Sequence, residues 1–331
     1  MRMAVRQSAM TWRRNLVDFV YKYANNLVMK APSVVEFVEV GPRDGLQNES
    51  VMISTQDKIS LISRAIDAGC RRIEVTSFVH PKRVPQMADA EAVCAGLPAR
   101  DDVTYIGLVM NARGADRAIA TGRIDQLGAV SVATDRFSIA NQGQTSDESV
   151  EAAKGIVAQA KAAGLTGQVT ISAAFGCPFE GEVSGNRVVE MAKRIADAEP
   201  VEIAIADTIG VGDPARVACL VARVREAVFP IPIRVHFHNT RNTGLANVWA
   251  AVCEGASTVD ASIGGIGGCP FAPSATGNVP SEDVIYMLER AGVRTGVDLE
   301  NVIAASHWLG GVMGKQLPGM VSRASMFPQA A

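Results

Sequence analysis

Residues 169–174 read VTISAA, 202–206 read EIAIA and 233–238 read IRVHFH, and the two spans between them, 186–198 and 214–227, are Ala-rich with helical periodicity. Apolar runs this short are strands buried on both faces, and the helices between them supply the cover. That combination makes a parallel sheet. Asp213-Pro214 stands where an N-cap and a first-turn proline belong at the head of the second helix. The alternation continues outward in both directions. Further strands are expected at 34–40, 72–76, 104–108, 127–133 and 258–262, with helices at 149–163 and 245–254. Eight such units in about 260 residues fit a closed (β/α)8 TIM barrel better than an open sheet. The first strand-to-helix turn also lacks the Gly-x-Gly-x-x-Gly of a dinucleotide-binding fold. A C-terminal helical extension follows from residue 298, with a helix expected at 302–313 packing on the barrel. With no linker and no internal repeat, residues 34–331 are expected to form a single catalytic domain, and residues 1–33 a poorly ordered N-terminal extension.

Composition narrows the partners. The chain has 331 residues, of which 48% are hydrophobic, enough for a large core. Its 32 basic residues balance 34 acidic ones, which argues against nucleic acid as a partner. No apolar run approaches the ~20 residues of a membrane span. Six cysteines without a Cys-x-x-Cys pair indicate a reducing compartment rather than a disulfide framework. Arginine outnumbers lysine 24 to 8, a bias expected of a GC-rich, bacterial genome. The opening 30 residues carry six basic side chains against Asp18 alone. They read either as a mis-called start, which goes with a bacterial cytoplasm, or as a transit peptide to a mitochondrial matrix.

Unusual polar residues fall at the C-terminal ends of the expected strands, the catalytic face of such a barrel. The first strand runs into Arg43-Asp44-Gly45-Leu46-Gln47. In the second, Glu74 is a carboxylate inside a buried strand, which is costly unless it is paired. Arg43 on the neighbouring strand is the natural partner. His236 and His238 are two of only four histidines, and at i and i+2 on a strand they share one face. Both imidazoles can then reach one metal ion. After the eighth strand comes GGIGGCPF at 264–271, a glycine-rich loop around Cys269, and then ATGN ending at Asn278. Clustered glycines there suit a mobile loop or close approach to a ligand.

Together these segments resemble the 3-hydroxy-3-methylglutaryl-coenzyme A lyase family, within a wider superfamily of metal-dependent lyases and synthases. The similarity spans about residues 34–314, and GGCPF followed by ATGN is specific to the lyase branch. The resemblance implies Asp44, His236, His238 and Asn278 as ligands of Mg²⁺ or Mn²⁺, a donor set without thiolate. It implies Arg43 as the group that stabilises the enolate oxygen, Glu74 as its orienting partner and Asp207 as an acid supporting the metal ligands. Cys269 is the implied proton donor. Asp44 or His236 serves as general base. The substrate is an acyl-CoA, contacted by Arg43, Gln47, Asn141 and Arg241, and the enzyme is a homo-oligomer, expected to be a dimer.

The chain departs from the family pattern in two places. The family follows its His-x-His with an Asp and an aromatic, where this chain has Asn239-Thr240-Arg241. Of the family's Lys-Asn-Ile-Asn, only Asn141 remains in FSIANQGQ at 137–144. Arg241 is therefore expected to meet a substrate carboxylate. A paralogous lyase for another branched hydroxyacyl-CoA, such as citramalyl-CoA, is the first alternative, and a condensing synthase on the same barrel the second.

Overall fold

The structure, a computed structural model, describes residues 31–267 and 277–324. All eight expected strands form: β1 (Glu36–Glu39), β2 (Arg72–Ser77), β3 (Thr104–Val109), β4 (Gln126–Val132), β5 (Thr166–Ser172), β6 (Ile203–Asp207), β7 (Ile233–Phe237) and β8 (Thr258–Ala261). Each is parallel to its neighbours, and β8 closes on β1 through Glu36↔Thr258 to Glu39↔Ala261. This is a (β/α)8 TIM barrel, as the alternation of buried strands and helices required. The expected first strand was longer than the observed one, because only Val34 bridges outward, to Arg294.

Local chemistry starts the outer helices. Asp213 accepts hydrogen bonds from the amides of Ala215 and Arg216, with Pro214 at the first helical position of Pro214–Val228. Thr145 and Glu148 form a reciprocal capping box at the start of Ser146–Ala162. The C-terminal helix Leu299–Met313 packs on Thr55–Asp67, where the Arg64 guanidinium lies 4.6 Å over the Trp308 ring. No described helix is long and apolar enough to cross a membrane. Of the N-terminal extension expected to be poorly ordered, residues 1–33, the first 30 lie outside the described residues.

The barrel interior is not filled by aliphatic side chains alone. Arg72 of β2 reaches across to Glu202 at the foot of β6, the strand opposite, at 2.5 Å. It also bonds Gln126 at 3.0 Å and the exposed Glu36 at 2.7 Å. Arg234 of β7 meets Glu202 at 3.3 Å and Asp260 of β8 at 2.5 Å. Asp260 continues to His236 at 3.2 Å. A column of paired charge thus runs from the lower mouth of the barrel to its catalytic face. Buried pairs of this kind add little net stability, but breaking one leaves a charge without compensation and costs ~3–5 kcal/mol.

A second buried carboxylate fixes the exit of β8. Glu39, at the end of β1, accepts the amides of Gly41 at 2.7 Å and Ile263 at 2.9 Å, and the hydroxyl of Ser281 at 2.6 Å. Burial pushes its pKa from 4.5 up to about 8, although these hydrogen bonds act to lower it. Between those values the folded protein holds a proton that the unfolded chain has lost, so stability falls as pH rises through the window. Glu39→Gln keeps the carbonyl acceptor and does not titrate. Relative to the native protein, its unfolding free energy should rise by ~3–4 kcal/mol between pH 5 and pH 8 in urea titrations. A difference that does not change with pH would mean that Glu39 is ionised in the folded state.

Candidate metal centre and active-site cavity

The turn after β1 brings the first two groups into place. Residues Gly41–Gly45 close as one wide turn in which the amide of Gly45 reaches the carbonyl of Val40 at 3.1 Å. Both glycines are required by close packing. A Cβ on Gly41 would lie 2.5 Å from Glu39 Oε1, and one on Gly45 would lie 2.6 Å from Ser262 Oγ. The turn aims Arg43 and Asp44 over the barrel mouth. Arg43 donates to Asp44 Oδ1 at 2.5 Å and to Glu74 Oε2 at 2.6 Å. The cost of burying Glu74 in β2 is therefore offset by the partner that its position demanded.

His236 and His238 rise from the end of β7, their rings 5.3 Å apart. His236 Nε2 lies 3.7 Å and His238 Nε2 lies 3.9 Å from Asp44 Oδ2. Asn278 arrives by another route. The backbone after the glycine-rich stretch inserts between the ends of β7 and β8, with Asn239 donating to Gly277 and Ser262 to Val279. Asn278 Nδ2 donates to Asp44 Oδ2 at 2.9 Å and to the carbonyl of Ile266 at 3.1 Å. Those two bonds fix the amide, and leave its Oδ1 buried without a partner among the described residues. His238 Nδ1 is likewise buried and unpartnered among them.

One ligand atom from each of Asp44, His236 and His238 lies within 4.8 Å of the others. The residues fit a divalent cation on three counts. The donors are one carboxylate and two imidazoles, with an amide oxygen left over beside them. Burial would raise the Asp44 pKa, but Arg43 and both imidazoles hold it well below the usual carboxylate range, so it is ionised. Burial and the neighbouring His236 push His238 down to about 4, leaving it neutral, as a ligand must be. His236 goes the other way. Burial would lower its pKa, but Asp260 and Asp44 together raise it above the ordinary value.

These groups border a cavity of about 410 Å³. Arg43, Asp44, Gln47, Glu74, Asn141, His236 and His238 all line it. Among the described residues, the expected site residues Asp207, Arg241 and Asn278 do not, Asn278 standing instead behind Asp44. Asp207 is fully buried below the rim, where its carboxylate accepts the amides of Val211 at 3.0 Å and Gly212 at 2.7 Å. Its carboxylate anchors the loop after β6 and not a candidate ligand, while its backbone carbonyl accepts the amide of His238 at 3.3 Å. Arg241 is turned away. It is exposed, and its guanidinium donates to the carbonyls of Ile209 at 2.8 Å and Gly210 at 2.9 Å. The expected contact with a substrate carboxylate is replaced by a contact with backbone. Cys269 lies outside the described residues.

Asp260 was missed from the sequence, although the reasoning that selected Glu74 applies to it. It is an acid within a fully buried strand and so needed a partner. Thr170, Ser172 and Thr208 on the facing wall were missed as well. Single hydroxyls at strand ends carry no pattern that marks them.

A closed barrel whose strand ends gather a carboxylate, two imidazoles and a paired arginine around one cavity is the layout of a barrel enzyme with a candidate divalent-metal centre. The HMGL-like family model matches residues 34–309. The chain belongs to that family. It is 41% identical to the (R)-citramalyl-CoA lyase of Chloroflexus aurantiacus, covering 89% of this chain and 96% of the relative. It is 40% identical to a hydroxymethylglutaryl-CoA lyase of Bacillus subtilis, covering 88% and 97%. Among solved structures, an HMG-CoA lyase from Acinetobacter baumannii in complex with coenzyme A and 3-methylmalate superposes with a TM-score of 0.84. It is 36% identical over 90% of this chain and 98% of that one.

The position of Asp207 generates a test. Asp207→Ala frees two amides in the loop and should lower the melting temperature while leaving Mn²⁺ affinity, read by electron paramagnetic resonance, near that of the native protein. A residue that supports metal ligands typically costs ~10–100-fold in affinity when removed. A loss of that size in Asp207→Ala would return Asp207 to the supporting role.

Proposed function

We propose that the protein is a divalent-metal-dependent carbon–carbon lyase that cleaves 3-hydroxy-3-methylglutaryl-CoA into acetyl-CoA and acetoacetate. The observation that carries this reading is the convergence of Asp44, His236 and His238 beside the Arg43–Glu74 pair on one cavity, in a chain of the HMGL-like family. Asp44, His236 and His238, with Asn278 Oδ1, would hold Mg²⁺ or Mn²⁺. When bound, the cation makes the substrate hydroxyl more acidic.

The protein's own groups account for the remaining steps. The proton of the tertiary hydroxyl passes to a base in this cluster, Asp44 or His236. The C2–C3 bond then breaks, C3 becomes the ketone of the departing 3-oxoacid, and the electron pair stays on C2 as a thioester enolate. Arg43, held in place by Asp44 and Glu74, stabilises the negative charge that develops on the thioester oxygen. A proton returned to C2 completes acetyl-CoA, and we assign that donation to Cys269. Val79, Leu108, Met110 and Phe137 give the cavity an apolar wall for the methyl-bearing carbon skeleton, and Gln47 and Asn141 offer it amides.

Three measurements test the reading. Exhaustive chelation should abolish thioester cleavage, and Mg²⁺ or Mn²⁺ should restore it. Full activity after chelation contradicts the metal requirement. In a panel of branched hydroxyacyl-CoAs, 3-hydroxy-3-methylglutaryl-CoA should show the highest kcat/KM. A preference for citramalyl-CoA, the substrate named for the relative from Chloroflexus aurantiacus, would overturn the substrate assignment and keep the reaction class. Cys269→Ser should lower kcat ~10²–10⁴-fold with KM little changed, the usual worth of a positioned proton donor. Near-normal turnover would remove Cys269 from the chemistry.

A further inference from the structure

Asp260 stands at a junction that neither the fold nor the ligand set requires. The register pairs Thr258 with Arg234 and Val259 with Val235. The next step along both strands places Asp260 beside His236, inside the barrel. Asp260 is 4% exposed and Arg234 2%, so little solvent competes for either. Asp260 Oδ1 accepts from Arg234 Nε at 2.5 Å, and Asp260 Oδ2 lies 3.2 Å from His236 Nδ1. Arg234 cannot shift freely, because its other end is held by Glu202 at 3.3 Å.

We propose that Asp260 is a positioning residue that fixes the ring and tautomer of His236, so that Nε2 presents its lone pair to Asp44 and the candidate metal centre. Both oxygens of an ionised carboxylate can only accept. Nδ1 must then donate, and a neutral imidazole has one N–H to give. Nε2 is left as the acceptor, and it is the atom that lies 3.7 Å from Asp44 Oδ2. His238 has no equivalent hold, since its Nδ1 is unpartnered among the described residues. The two imidazoles therefore differ. One is clamped from below by a carboxylate itself clamped by arginine, and the other is oriented by its strand and its neighbours.

The inference that His236 is a ligand rests on the proposed metal centre, but the hold on its tautomer does not. Asp260→Asn separates the two. Arg234 Nε–H still demands an oxygen, which turns the amide nitrogen of the new side chain toward Nδ1. Nδ1 must then accept, and the proton moves to Nε2. In metal-free, ¹⁵N-histidine-labelled protein, at a pH above the raised His236 pKa where its ring is neutral, native His236 should show the Nδ1–H tautomer, and Asp260→Asn the Nε2–H tautomer. Mn²⁺ binding by electron paramagnetic resonance should weaken ~10–100-fold in the same variant. Asp260→Glu, which disturbs packing but keeps a carboxylate, should retain the native tautomer. Glu202→Gln, one link further down the column, should lower stability and leave both tautomer and Mn²⁺ affinity unchanged. If Asp260→Asn does not fold, Asp260→Ala carries the same measurement. An unchanged His236 tautomer in the variant overturns the proposal. A switched tautomer with undiminished Mn²⁺ affinity upholds the hold of Asp260 on the ring and removes His236 from the ligand set.

Discussion

Arg234 and Asp260 meet inside the barrel, both nearly fully buried at the floor of the cavity, and much of the catalytic face is arranged around that pair. An ion pair in such a place is not a source of stability, because desolvation consumes most of what attraction returns. Its consequence is directional. Each charge has to be met at a definite point, so side chains from β2, β6, β7 and β8 are locked to one another across the axis. Arg72 and Glu202 carry the lock from wall to wall, and Asp260 passes it up to His236. At the rim the same logic recurs with Asp44, Arg43 and Glu74. The base of the candidate site is thereby made rigid by charge, while Val79, Leu108, Met110 and Phe137 give one part of the cavity wall an apolar surface.

The strands were legible because a parallel barrel buries both faces of each one. That leaves runs such as EIAIA and IRVHFH, which no exposed segment would hold. The site residues on strands were legible for a related reason. Polar groups in such runs must have partners, which is how Glu74 pointed to Arg43 and how His236 and His238 pointed to one face. The sequence was less informative where the chain leaves a strand. Arg241 follows His238 by three residues, yet a turn through Asn239 and Asn242, the latter at φ 58°, carries it out to the carbonyls of the neighbouring loop. The direction of a side chain beyond a strand end depends on that turn, and hydrophobic periodicity does not encode it. Asp207 shows the same limit, since an acid at a strand end can serve a ligand or a loop, and here it caps two amides of the loop. The helix Asp135–Gln142 was also unread, because DRFSIANQ has few apolar positions to mark a buried face.

The family pattern and the physical reading meet at Asn278. Alone, an asparagine before a helix is most simply a turn or cap residue. The structure uses its amide nitrogen on Asp44 and on the carbonyl of Ile266, and the oxygen is left buried without a partner among the described residues. An unsatisfied buried oxygen beside an ionised carboxylate and a neutral imidazole is costly unless a cation completes the set. The chemistry follows from the same charges. A site that holds a cation next to a fixed guanidinium can acidify a hydroxyl on one side and receive an enolate on the other.

Asp44, His236, His238 and Asn278 are proposed to hold one divalent ion at the mouth of the barrel. Crystals grown with Mn²⁺ and measured near the manganese absorption edge test it directly. A single anomalous peak is expected within ~2.0–2.3 Å of Asp44 Oδ2, His236 Nε2, a ring nitrogen of His238 and Asn278 Oδ1. A peak elsewhere, or none at saturating Mn²⁺, would contradict it.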